Sequence, residues 1–350
     1  MKKRYRPEWE SLIEHQVPDW FLDAKFGLYA HWGLYSIPGF GNEWYGKYMY
    51  DPEHPIHAQH VERYGSPARF GYKDFVPLFT ASRYDAGEWA DLVVESGASY
   101  GGFSLAHHDG FGLWDSGVYR WNVGKMGPRR DLYGEFAAAL RNRGVRLVAP
   151  FHIIRGYNWF LPGWTQWTRT FSEQAVERGR AESWDLYDPQ FADLYWHQFV
   201  GSDFDEFLRL WKLKVKEVID KYQPDVMWFD GGRFNEPGLV HHSLEVLAHY
   251  LNAAIDWGKD VVVLNKLNLT LVLNFHERFG VRQFEEGRDR PDNFDLPFND
   301  DMKIGDRSWG WVEGQAYRSS AELVHGIVDR ASRGGSLLLS LSPKADGTIP

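Results

Sequence analysis

Apolar residues along this chain follow two spacings in turn. Five stretches carry apolar residues at intervals of three and four, which is typical of amphipathic helices. Each ends near a glycine, a charge or a proline and leads into a short run that is typical of a strand. The predicted helices lie at 89–93, 132–140, 204–222, 244–255 and 324–331. The predicted strands after them lie at 99–106, 146–152, 226–230, 261–266 and 336–342.

Two more runs, 25–32 and 282–286, bring the number of predicted strands to about seven. Strands that alternate with helices form a parallel sheet, and a chain of 350 residues is long enough to close that sheet into a barrel. The expected fold is therefore α/β, a (β/α)8 TIM-like barrel that is complete, irregular or without its last helix. A doubly wound open sheet is the alternative.

The reactive side chains favour the barrel. They fall at the carboxyl ends of predicted strands on every side of it, which is where barrel enzymes build their sites, whereas an open sheet would gather them at one point. These residues are His31, His107, His108, Asp109, His152, Asp230, Lys266, Glu285 and Glu286. Two long connections, 38–82 and 153–202, are expected to border the same face as substrate loops.

Composition narrows the partners. A net charge of -9, from 39 basic and 48 acidic residues, disfavours nucleic acid and membrane surfaces. The absence of cysteine excludes disulfides and thiolate zinc sites. The basic start lacks the apolar run of a signal peptide, so we expect a cytoplasmic protein or a trimmed mature form that is secreted or periplasmic. Aromatic residues, 17% of the chain, suit sugar binding as well as core packing.

Two carboxylates stand out. Asp230 ends an apolar strand before Gly231 and Gly232, and since no periodic helix starts directly there, catalysis is favoured over helix capping. A second carboxyl comes from Glu285 or Glu286, and glycosidases need two. The alternative for this pair is an acidic turn that pairs with Arg288 or Arg290.

The pair His107-His108 followed by Asp109 allows a metal site in principle. Barrel metal hydrolases, however, usually place a His-x-His on the first strand, and here that strand has only His31. Imidazoles at a barrel mouth serve equally well as hydrogen-bond donors to hydroxyls. Motifs for nucleotide cofactors and for serine hydrolases are missing from the sequence, so we expect neither a cofactor nor a metal.

Several motifs together resemble the α-L-fucosidases of glycoside hydrolase family 29, and the resemblance covers nearly the whole chain. The matching stretches are WFLDAKFG at 20–27, HWGLY at 31–35, NEWY at 42–45, HHDGF at 107–111, LWDS at 113–116, GPRRD at 127–131, WFDG at 228–231, FEEGR at 284–288, SWG at 308–310 and DGTIP at 346–350.

The resemblance implies a retaining exo-hydrolase that releases terminal L-fucose from a fucosylated oligosaccharide or glycoconjugate. It places the nucleophile on Asp230 and the acid/base on Glu285, with Glu286 as second choice. The implied substrate-binding residues are His31, Glu43, Trp44, His107, His108, His152, Trp228, Lys266 and Trp309. Double displacement requires the carboxyls about 5 to 5.5 Å apart and, for the acid, a raised pKa.

The sequence also departs from the family. Ala106 stands where members usually carry Lys or Glu, Phe151-His152 replaces a Tyr-x-Ser type sequence, and Lys266 stands where many members carry arginine. We expect a single catalytic domain over 1–350, without the family's usual β-sandwich domain, and homo-oligomers remain open. The competing hypotheses are a glycan-binding barrel without turnover and a metal-dependent hydrolase that uses His107, His108, Asp109 and Asp230.

Overall fold

Eight parallel strands close into a barrel in the computed structural model, which describes residues 3–165, 168–232, 234, 238–267, 272–288, 290 and 297–350. The strands are β1 Phe26–Ala30, β2 Tyr100–Gly101, β3 Arg146–Phe151, β4 Val226–Phe229, β5 Val262–Lys266, β6 Val281–Glu285, β7 Phe298–Lys303 and β8 Gly335–Leu341. They pair in chain order, and β8 pairs with β1. The barrel prediction is confirmed, and the doubly wound alternative is wrong.

Helices fill most of the connections. They are α1 Trp9–Leu12, α2 Asp19–Asp23, α3 Tyr45–Tyr48, α4 Pro55–Tyr64, α5 Ala86–Glu95, α6 Leu132–Asn142, α7 Glu173–Ala181, α8 Ala192–Tyr195, α9 Phe204–Tyr222, α10 Val240–Trp257 and α11 Ser320–Ser332. Within the described residues, the β5–β6 and β6–β7 connections contain no helix, so the barrel is irregular. No helix among the described residues is long and apolar enough to cross a membrane.

Helix α9 shows why the sequence folds as the periodicity predicts. The side chain of Asp203 accepts a hydrogen bond from the Glu206 N–H and caps the first turn. Gln223 ends the helix in a left-handed conformation, and Pro224 follows. One apolar face between these ends is buried.

Helix α11 forms as predicted, but its apolar face does not lie where the pattern placed it. Val324 and Val328 are 55% and 59% exposed. Gly326 is the buried residue of this helix, and a Cβ built on it would lie 3.2 Å from Met302 Cε. The helix therefore packs through Gly326 together with the partly buried Leu323 and Ile327, and this face is turned away from Val324 and Val328.

Strand β7 is the element that the sequence pattern does not predict. Its sequence, FNDDMK, is polar and reads as a loop, yet Asp300 and Asp301 are buried and the strand pairs with both neighbours. Asp300 accepts hydrogen bonds from Arg330 and from the Gly287 N–H, which offsets the cost of its burial. The predicted strand 99–106 is also shorter, since only Tyr100–Gly101 forms β2.

Large side chains fill the barrel interior, so no pore crosses it. Tyr29, Tyr100 and Trp228 are almost fully buried there and pack with aliphatic residues of β3, β4, β5, β6 and β8. Reactive side chains are consequently accessible only at the mouth, above this aromatic floor.

Gly102 follows β2 directly, at a point where its backbone lies close to the neighbouring strand β3. A Cβ at this position would lie 2.1 Å from the carbonyl oxygen of Val148 on β3. We expect Gly102→Ala to lower the free energy of unfolding by about 1 to 3 kcal/mol, because backbone must shift to admit the methyl group. Urea unfolding midpoints measure the effect.

Gly238→Ala is the matched control, since a Cβ there meets no atom of the described residues within 4 Å. Its stability should stay within about 0.5 kcal/mol of the wild type. Equal stability of Gly102→Ala and the control would contradict the described strand packing.

Candidate active site

A cavity of about 180 Å³ opens at the carboxyl end of the barrel. It holds ten of the residues that the sequence singled out and four that it did not. The lining residues are His31, Glu43, Trp44, His107, His108, His152, Arg155, Asp230, Lys266, Leu267, Glu285, Arg288, Asp301 and Trp309. Its small volume suits one sugar ring better than an extended chain.

Lys266 joins the two candidate catalytic carboxylates. Its Nζ lies 2.6 Å from Asp230 Oδ1 and 2.8 Å from Glu285 Oε2. The three residues end β5, β4 and β6, so strand order alone brings them together. Arg288 pairs with Glu285 from the outer side. The two interpretations of this acidic turn are therefore compatible. Glu285 pairs with Arg288 and also lines the cavity.

These cations set the ionisation of the carboxylates. Burial raises the pKa of Asp230, but Lys266, together with Arg155, outweighs burial and lowers it well below its usual range. Burial likewise opposes ionisation of Glu285, yet Lys266 and Arg288 lower its pKa. The raised pKa expected for an acid is therefore not found for Glu285, because Lys266 stabilises the ionised carboxylate.

Glu285 and Glu286 point in different directions. Glu285 lines the cavity, whereas Glu286 pairs with Lys303 at 2.8 Å and Arg318 at 3.3 Å and is not part of the cavity wall. Glu286 also has a left-handed backbone, which turns the chain after β6. Of the two glutamates, only Glu285 faces the cavity.

Four imidazoles border the cavity at the ends of β1, β2 and β3. His31 hydrogen-bonds to Ser340 Oγ at 2.9 Å, and His152 to Ser104 Oγ at 2.6 Å. His108 donates to the His152 carbonyl. Burial lowers the pKa of all four, to about 4 for His152, so the rings are neutral near pH 7 and can both donate and accept.

Glu43 and Trp309 form one wall together. Glu43 accepts hydrogen bonds from Ser308 Oγ at 2.8 Å and from the Trp309 N–H at 3.1 Å. Burial raises the pKa of Glu43. The Trp309 ring lies 5.2 Å from the His31 ring, and Trp44 lies edge-on to His108 at 5.4 Å. Indole faces thus border the polar groups.

Trp228 lies beneath the cavity rather than in its wall. It is fully buried, and its ring lies 5.2 Å from Tyr29 and 5.0 Å from His152. Lys266 Nζ stands 5.5 Å from its ring centroid. Its position supports the lysine and the histidine from below, whereas the sequence placed it against the substrate.

Sequence reasoning missed Arg155, Leu267 and Asp301, and considered Arg288 only as an ion-pair partner. Arg155 donates to the Gly231 carbonyl at 2.7 Å, just past Asp230. Its place three residues after His152 was an available signal. Asp301 lies on the unpredicted strand β7, so no pattern pointed to it.

Asp109 is not directed toward the histidines as a metal ligand. It accepts hydrogen bonds from Tyr72 Oη at 2.5 Å and from the Phe111 N–H at 3.1 Å. Burial raises its pKa to about 6. Across the part of the chain that the structure describes, no group of three or more His, Asp or Glu side chains is arranged to hold a metal ion.

Comparisons with known proteins point to one family. The family model described as alpha-L-fucosidase matches residues 1–350. Plasma alpha-L-fucosidase of Homo sapiens is 32% identical over 352 residues, which cover 99% of this chain and 67% of that protein. The crystal structure of Thermotoga maritima alpha-fucosidase in complex with fucose aligns with a TM-score of 0.73 at 30% identity, over 99% of this chain and 73% of that one. The same enzyme in complex with a mechanism-based inhibitor aligns with a TM-score of 0.74 at 31% identity, with the same coverage.

The neutral state of His152 makes part of the stability depend on pH. Its pKa of about 4 lies below the ordinary value of 6.5. Between these values the unfolded chain binds a proton that the folded chain does not, so this contribution is present above pH 6.5 and lost as the pH falls through 4. From pH ~7.5 to ~4.5, His152→Gln should lose on the order of 2 kcal/mol less free energy of unfolding than the wild type.

Urea midpoints at the two pH values measure this difference. His325→Gln, on the exposed side of α11, is the control and should follow the wild type. If the stability of His152→Gln changed with pH as much as that of the wild type, the conclusion that His152 is neutral when buried would be wrong.

Proposed function

This chain belongs to the alpha-L-fucosidase family of glycoside hydrolases, and from that premise we propose that it is a retaining exo-hydrolase. Its substrate is a terminal α-L-fucosyl group on an oligosaccharide or glycoconjugate. The barrel over residues 1–350 acts as a single catalytic domain. Asp230 is the nucleophile and Glu285 is the acid/base.

The observation that carries this proposal is the shared ammonium group of Lys266. Its bonds of 2.6 and 2.8 Å keep the bound oxygens of Asp230 and Glu285 no farther apart than the about 5 to 5.5 Å typical of retaining enzymes. Inverting enzymes hold their carboxyls about 6.5 to 9.5 Å apart, because a water must fit between substrate and base. The geometry therefore favours direct attack by a carboxylate.

In the first step, an Asp230 oxygen forms a bond to the anomeric carbon while the glycosidic bond breaks. Glu285 gives its proton to the departing oxygen. In the second step, the Glu285 carboxylate takes a proton from water, whose oxygen attacks the anomeric carbon and releases Asp230. The low pKa of Asp230 keeps its carboxylate ionised before it attacks and after it is released.

Glu285 must hold a proton when substrate is bound. Lys266 and Arg288 both pair with Glu285 and stabilise its ionised form. The entering sugar must therefore take one of these cations away from Glu285 before the carboxyl can act as an acid. Arg288 is the more accessible of the two, since half of its side chain is exposed.

The remaining wall residues suit a neutral sugar. Neutral imidazoles of His31, His107 and His108 both donate to and accept from hydroxyls. Glu43, held by Ser308 and the Trp309 backbone, offers a fixed carboxyl. The indole of Trp309 provides a flat apolar surface for C–H groups.

Asp230→Gly should lower release of 4-nitrophenol from 4-nitrophenyl α-L-fucoside by about a thousandfold or more, because the attacking oxygen is lost. Added azide, which fits the space of the missing carboxylate, should restore release. Wild-type activity should not change when a chelator is added. The exposed carboxylate of Asp220 on α9 supplies the control Asp220→Asn. Full activity of Asp230→Gly would contradict the assignment of Asp230 as the nucleophile. Loss of wild-type activity with the chelator would contradict a mechanism without a metal.

Glu285→Gln and Glu286→Gln form a matched pair, because neighbouring glutamates are changed and only one faces the cavity. Glu285→Gln should slow a fucosyl oligosaccharide by about a hundredfold more than the 4-nitrophenyl fucoside, since only the poor leaving group needs a proton. Glu286→Gln should slow both substrates to the same small extent. A larger leaving-group effect in Glu286→Gln would place the acid/base there instead.

A further inference from the structure

Besides Asp230, Glu285 and Glu43, the cavity is lined by a fourth carboxyl residue, Asp301, which the proposed chemistry does not use. Asp301 lies on β7 directly opposite Glu285 in the register of the sheet. It is 1% exposed and lines the cavity. Its Oδ2 lies 3.3 Å from Tyr29 Oη, while its Oδ1 has no hydrogen-bond partner among the described residues. A buried oxygen left without a partner is costly unless a ligand or water completes it.

The order of residues around the barrel indicates which part of the sugar lies near Asp301. The anomeric carbon must lie at Asp230, at the end of β4. The next strands around the barrel in one direction, β3, β2 and β1, carry the imidazoles of His152, His107 and His31. In L-fucose, carbons 2, 3 and 4 follow the anomeric carbon and each carries a hydroxyl. A ring laid across the mouth therefore matches those hydroxyls to the imidazoles.

This placement leaves carbon 5 and its substituent on the remaining arc, between β1 and β7. The floor of that arc is polar. Tyr29 Oη lies beside Asp301 there, and Ser340 Oγ hydrogen-bonds to both His31 and Tyr29. Trp309 covers the arc from the mouth, where it lies next to His31. A methyl group would satisfy none of these polar atoms.

We propose that Asp301, held from the floor of the cavity by Tyr29, forms a subsite for a hydroxyl on carbon 6, so that the cavity accepts terminal α-L-galactosyl groups as well as fucosyl groups. L-Galactose differs from L-fucose by this one hydroxyl. The inference rests on the proposed hydrolase function and specifies its substrate class. Burial raises the pKa of Asp301 well above its usual range, and Glu285, Asp300 and Asp230 add to this while Lys266 opposes it. The raised pKa favours the protonated carboxyl, which can both donate to and accept from a hydroxyl.

The test compares 4-nitrophenyl α-L-galactoside with 4-nitrophenyl α-L-fucoside. Wild-type kcat/KM for the galactoside should lie within about tenfold of the value for the fucoside. Tyr29→Phe and Asp301→Val each remove part of the subsite. Each should lower the ratio of galactoside to fucoside kcat/KM by about tenfold or more. The hydroxyl on carbon 6 loses either Asp301 itself or the hydrogen bond from Tyr29 that holds Asp301 in place. A ratio of two substrates does not respond to a general loss of folded enzyme.

Glu286→Gln is the control, since Glu286 pairs with Lys303 and Arg318 and does not line the cavity. Its ratio should equal that of the wild type. Fucoside hydrolysis with a galactoside kcat/KM about a thousandfold lower would overturn the inference and leave the proposed function intact. An unchanged ratio in both variants would also overturn it. Release from neither substrate would instead overturn the hydrolase assignment.

Discussion

One buried ammonium group, that of Lys266, allows two largely buried carboxylates to face each other at the mouth of the barrel. Without it, Asp230 and Glu285 would repel, and burial would drive both toward the protonated form. With it, Asp230 stays ionised, as the proposed nucleophile must be. The barrel is the scaffold that makes this contact, because β4, β5 and β6 are neighbours and each ends in one member of the trio.

Other polar side chains at the mouth of the barrel are also held in place by hydrogen bonds to buried neighbours. Ser340 and Ser104 fix His31 and His152, while Ser308 fixes Glu43. These bonds orient each side chain before a sugar arrives, so less ordering entropy is lost on binding. Beneath them, the aromatic floor excludes water and leaves the mouth as the only accessible face.

Much of the fold was predictable, because apolar strands such as Val226–Phe229 and amphipathic helices such as Phe204–Tyr222 carry a strong periodic signal. Strand β7 was not, since its buried aspartates are balanced by Arg330 and Tyr29, which are distant in sequence. Asp230 was identifiable from its strand end. Other features depend on tertiary contacts that a linear pattern does not contain. They are the opposite directions of Glu285 and Glu286, the low pKa of Glu285 and the position of Trp228 beneath the cavity.

The most direct test of the central claim is to trap the covalent intermediate with 2-deoxy-2-fluoro-α-L-fucosyl fluoride and to map the label by mass spectrometry of peptides. The fluorine at carbon 2 slows release of the enzyme-bound sugar, so a true nucleophile stays labelled. We predict one fluorofucosyl group per chain, on the peptide that contains Asp230. Label on the peptide of Glu285, or turnover of the natural substrate without any trapped species, would contradict the account.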